Sequence, residues 1–217
     1  MNDLTRFNIP AMAMRAELLA RRALERPDAI RAKHWYADAY CFCDDIAADL
    51  RLPVELVVGF VAAMSPRNSW ASQLKHTREQ VECALMGEPI PYAGTNANKQ
   101  KGARIINGEN PSDVLGGQKV RAFYTAVLSG GTRGTAVIDV HAWAALSGSF
   151  DGVLGAPAYR AAAEAFEIAA ERLGVTVHQA QALAWVEHRK VPLEKPGSYD
   201  YRWGDNDRAK RASQGGK

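Results

Sequence analysis

Cysteine is scarce in this chain, with only Cys41, Cys43 and Cys83 among 217 residues. So few thiols exclude a disulfide framework and a four-thiolate iron-sulfur centre. Cys41 and Cys43 stand two apart in a helical stretch, so they point about 200° apart and cannot clasp one metal ion. All three are expected to be buried thiols, and neither a metal nor a cofactor is expected. Long apolar runs are also missing: no 18 consecutive apolar residues occur, which excludes a membrane-spanning helix. Residues 1–6, Met-Asn-Asp-Leu-Thr-Arg, lack the charged-then-apolar order of a signal peptide, so a cytoplasmic location is expected. Nor is there a large excess of either charge, with 27 Lys and Arg against 24 Asp and Glu, a formal net charge of +3. That surplus by itself does not call for a polyanionic partner, but it is compatible with one.

What is present is enough apolar material for a real core. At 47% hydrophobic and 24% charged, the chain is no disordered segment and suits one large domain or two small ones. The basic residues are unevenly placed. Residues 98–133 carry Lys99, Lys101, Arg104, Lys119, Arg121 and Arg133 against only Glu109 and Asp113. A second basic stretch follows Trp185. Both read either as polyanion contacts or as a solvated surface.

Apolar residues recur at helical spacing and almost never alternate, so the expected class is all-α. The pattern predicts helices over 11–26, 31–50, 54–64, 70–86, 96–106, 118–128, 139–146, 159–173 and 176–189. Pro53 suits the first turn of the third, which is apolar nearly all round and is expected to be the buried central helix. In the fourth, Leu74, Val81 and Leu85 are expected inward. Residues 107–111 read as a turn, and Thr176 with Gln179 fits a capping box. Residues 135–138 are too short for a sheet and read as an extended lead-in to a buried helix start. Residues 1–190 are expected to form one two-lobed helical domain, with 191–217 a basic, irregular tail.

Two short passages carry the chemistry. Thr135-Ala-Val-Ile-Asp139-Val-His141-Ala-Trp143 sets one carboxylate where an apolar run turns into a helix. Leu115-Gly116-Gly117-Gln118-Lys119 sets a glycine pair and an amine at the start of another. An Asp in that place also serves as an ordinary helix cap, and Gly-Gly as an ordinary turn.

The order of these pieces resembles the helix-hairpin-helix DNA glycosylase superfamily, the endonuclease III-like group. Residues 53–68 look like its central buried helix and the loop whose polar side chains fill the gap left by a flipped base. Residues 96–106 resemble the basic helix that follows, and 115–123 fall where the hairpin stands. Residues 136–143 fall on the family's apolar lead-in, catalytic Asp and histidine, and 181–189 on its closing helix. The likeness covers about Leu52 to Arg189. Two departures are plain: Gly116 and Gly117 are adjacent where the hairpin has one residue between its glycines, and the iron-sulfur cysteines are absent.

The resemblance implies a two-lobed fold with the active site in the inter-lobe cleft. It also implies a DNA N-glycosylase, with or without strand-nicking lyase activity, that acts on duplex DNA with a flipped base. Asp139 would stabilise the cationic sugar as the base leaves, and the positive end of its helix favours the anion. Lys119 would be the nucleophile of a lyase or else a phosphate contact. Gly116, Gly117, Gln118 and Arg121 would hold phosphate at a helix start without reading sequence, and Lys99 and Lys101 would add to that contact. Ser65, Arg67 and Asn68 would wedge the duplex, or else simply end a helix. His141 would brace the catalytic loop or sit as a core histidine, and Trp70 would stack on a base or pack in the core. The alternatives are a base-modifying enzyme on the same fold and a non-catalytic DNA-binding module. No membrane partner is expected, and a monomer is the expected state.

Overall fold

Helical periodicity is realised almost throughout. The computed structural model describes residues 6–27, 29–150 and 155–190, and these contain eleven helices and no strand. In chain order they are α1 (Ile9–Leu24), α2 (Ala29–Lys33), α3 (Trp35–Leu50), α4 (Val54–Met64), α5 (Trp70–Met86) and α6 (Asn96–Ile106), then α7 (Pro111–Val114), α8 (Gln118–Leu128), α9 (Val140–Ser147), α10 (Ala156–Leu173) and α11 (Val177–Arg189). None is long and apolar enough to cross a membrane. The basic tail at 191–217 lies outside the described residues.

Local chemistry explains most boundaries. Asn8 accepts from the Ala11 amide at 3.1 Å and starts α1; Ser69 and Thr95 do the same for α5 and α6. The capping box at Thr176 and Gln179 is complete, with both reciprocal bonds made. Three boundaries differ from the periodicity. The single helix expected over 31–50 is two, interrupted at His34, whose amide still donates to the Ile30 carbonyl. The 107–111 turn runs into the short α7, because Asn110 accepts from the Ser112 amide and Pro111 fits a first helical turn. For the same reason α10 begins at Ala156, three residues early, with Pro157 in its first turn.

The chain divides into two units. One takes the described residues up to Ala37 and those from Gly117 onward; the other takes Asp38–Gly116. In the first, α1 packs along α10 and α11. Its core joins Met12, Ala13 and Ala16 of α1, Ala162, Ala165, Phe166 and Ala169 of α10, and Ala136 and Ile138 of the lead-in. Alanine dominates the facing positions, which lets helix axes approach closely and makes added volume hard to absorb.

In the second unit α4 packs on α6, with Phe60, Met64, Val81, Ala84, Ile90 and Ile106 in the core. Val57 to Met64 are all buried, as expected of a helix apolar all round. The Phe60 ring of α4 packs directly on the α6 backbone at Gly102, where a β-carbon would lie 2.9 Å from it. Two expectations fail here. Leu85 is 40% exposed, since α5 turns only part of its apolar stripe inward. Cys41 is exposed and Cys83 half-buried, leaving Cys43 as the buried thiol, because residues two apart on a helix face different sides.

Candidate functional site

In the first unit the extended lead-in is held from the side. The buried Tyr159 hydroxyl donates to the Ala136 carbonyl at 3.0 Å and accepts from the Ile138 amide at 3.3 Å. Two backbone groups of this segment are thus satisfied by one side chain, with Ala136, Val137 and Ile138 buried. That anchoring delivers Asp139 to the start of α9. Its Oδ1 accepts from the Ala142 amide at 2.7 Å, and its Oδ2 accepts from the Trp185 indole N–H at 3.3 Å. The carboxylate is half-buried, and its remaining lone pairs face away from these two donors.

His141 is the second residue of α9, edge-on to the rings of Phe150 (5.5 Å) and Trp185 (6.1 Å). Its Nδ1 is buried and has no partner. Burial lowers its pKa; Asp139 opposes this, while Arg189 and Lys119 add to it. His188, beside Phe150 at 6.0 Å, is likewise held down by burial, then by His141, Arg189 and Arg15. Both rings are neutral at pH 7.

At the start of α8, Gly117 takes the cap position with φ 80° and offers no side chain to the first helical amides. Those N–H groups stay open to an outside acceptor. Gly117, Gln118, Arg121 and Thr125 line an open groove of about 650 Å³, whose other wall is Gly134 and Thr135, the origin of the lead-in. Asp139 is not among its described lining residues.

The remaining sequence candidates lie in the second unit. Ser65 ends α4 and Ser69 caps α5, with Arg67 between them at φ 59° and exposed. Ser65 Oγ, Asn68 Oδ1 and Gln73 Oε1 are buried without protein partners. Trp70 packs edge-on against Phe42 at 5.8 Å, as a core side chain does. On α6, Lys101 Nζ lies 3.7 Å from where a β-carbon on Gly116 would be, so that amine stands over the glycine turn. Lys99 is half-buried and runs its stem past Gly94.

Sequence patterns missed Trp185, Tyr159, His188, Arg15 and Arg189. Trp185 and Arg189 stand four apart on α11, a spacing that puts them on one face and was legible. Arg15 had no local signal.

The chain matches the model of a family of unknown function, DUF7178, over residues 20–191, and belongs to that family. No curated protein and no solved structure matches it. The family description carries no activity, so the likeness to DNA glycosylases rests on the motifs alone.

Proposed function

We propose that this member of a family of unknown function is a DNA glycosylase-like enzyme. It would extrude a damaged or modified base and cleave its N-glycosidic bond, on a two-lobed helix-hairpin-helix architecture. The observation that carries the reading is Asp139, a carboxylate at the start of α9 held at both oxygens by Ala142 and Trp185. A fixed anion is what a transition state with a cationic sugar needs, because its stabilisation costs no reorganisation.

In the hydrolytic step water bonds to C1′ as the C1′–N bond breaks, and the base leaves with that electron pair and takes up a proton. In a lyase the Lys119 amine bonds to C1′ in place of water and forms an imine with the opened sugar. The uncapped α8 start and Arg121 would hold strand phosphate in the groove.

The same two hydrogen bonds would equally serve a purely structural cap, which is the binding-module alternative. Asp139→Asn separates the two, since Asn caps a helix about as well as Asp but carries no charge. Purified protein incubated with duplexes bearing damaged or modified bases should create abasic sites, and D139N should abolish them while DNA binding persists. Borohydride should trap a covalent adduct if Lys119 attacks, and Lys119→Gln should lose it. A panel of lesions and modified pyrimidines with no abasic sites would refute the glycosylase reading.

A further inference from the structure

Three cations lie around α9, the helix that Asp139 opens, each on a different helix. Arg15 of α1 is docked on the far end of the helix that Asp139 opens: its Nε donates to the Ala145 carbonyl at 3.4 Å. Its Nη1 sits 2.8 Å from where a β-carbon on Gly148 would be. Arg189 of α11 lays its guanidinium over the Trp185 ring, 5.6 Å from the centroid. Lys119 of α8 is the third, and with Arg189 it adds to the lowering of the His141 pKa. Among the described residues none of the three has a carboxylate within ion-pair distance. Arg21, Arg78, Arg104 and Arg172 elsewhere in the chain each do.

We propose that Arg15, Lys119 and Arg189 form a clamp for the phosphodiester groups of a nucleic-acid strand, set around α9. This rests on the nucleic-acid reading above and extends it to two arginines outside the glycine-lysine turn. Among the described residues the carboxylate beside Trp185 and His141 is Asp139, and one negative charge does not neutralise three positive ones. Both arginines are held by neutral groups, a carbonyl and an indole face, which keep the planar fork in place without consuming its charge. A pre-placed guanidinium with free N–H groups matches two phosphate oxygens at once. A strand held this way would bring a sugar against Asp139, which phosphate contacts at the α8 groove alone do not require.

The test is the salt dependence of binding to fluorescein-labelled duplex and single-stranded oligonucleotides, read by anisotropy. Each lost phosphate contact lowers the slope of log K against log salt by about 0.9 on duplex DNA. Arg15→Gln and Arg189→Gln should each lower it by that amount and weaken binding several-fold at low salt. R15K and R189K should restore the slope, and R21Q should leave it unchanged. A steep wild-type slope that R15Q and R189Q leave intact overturns the clamp but not the nucleic-acid reading. Absence of wild-type binding to any oligonucleotide overturns both. Displacement of bound oligonucleotide by millimolar inorganic phosphate at constant ionic strength would assign the cations to a free-phosphate site and overturn the strand assignment.

Discussion

The Trp185 indole N–H donates to Asp139 Oδ2 across 46 residues of sequence, while the face of the same ring carries the Arg189 guanidinium. One side chain therefore orients an anion and a cation at once. Trp185→Phe keeps an aromatic face and removes the donor. Base release under single turnover should fall about tenfold, near the 1.4 kcal/mol of one charge-assisted hydrogen bond. Oligonucleotide affinity should change far less. Equal loss of both would show that Trp185 only supports packing.

Tyr159→Phe removes a hydroxyl with two backbone partners and leaves the buried Ile138 amide and Ala136 carbonyl unsatisfied. Urea unfolding should show a loss of about 1–3 kcal/mol. Because that clamp positions Asp139, activity should fall further than the stability loss accounts for.

Gly102→Ala inserts a methyl group where the Phe60 ring leaves 2.9 Å. Phe60 is fully buried, so the α4–α6 contact must open, at a cost of about 1–3 kcal/mol. Thermal unfolding followed by circular dichroism reads it. An unchanged midpoint would mean that the ring has room to move.

His178 is 1% exposed, edge-on to Tyr36 at 5.1 Å, and neither ring nitrogen has a partner at hydrogen-bonding geometry. Burial lowers its pKa, and the neighbouring backbone at Thr135 and Gly131 opposes this. The folded state thus binds a proton less readily than the unfolded one. Its contribution to stability is full above the unfolded value of about 6.5 and is lost as pH falls through the depressed folded value. Urea midpoints should decline below pH 6.5, and His178→Gln should flatten that decline relative to wild type. A parallel decline in both proteins would assign it to the carboxylates instead.

Much of the secondary structure was legible because its causes are local. Asn8, Ser69, Thr95 and Thr176 each meet an amide two or three residues on, and the run from Val57 to Met64 is apolar on every side. The Asp139 cap was legible for the same reason: its partner Ala142 is three residues away. Pro111 reads as part of a turn, and the helix expected from residue 159 starts earlier with Pro157 in its first turn, because proline fits that position.

Sequence by itself determined the helical class, most helix starts, and the placing of one carboxylate at a buried helix entrance, since spacing and capping act over three or four residues. Tertiary structure alone decided that Tyr159 would hold the lead-in, that Trp185 would take the second oxygen of Asp139, and that Arg15 would dock on α9. These partners lie 23, 46 and 130 residues apart. No local pattern encodes such contacts; they exist only because packing alanine-lined helices together leaves those side chains facing one another.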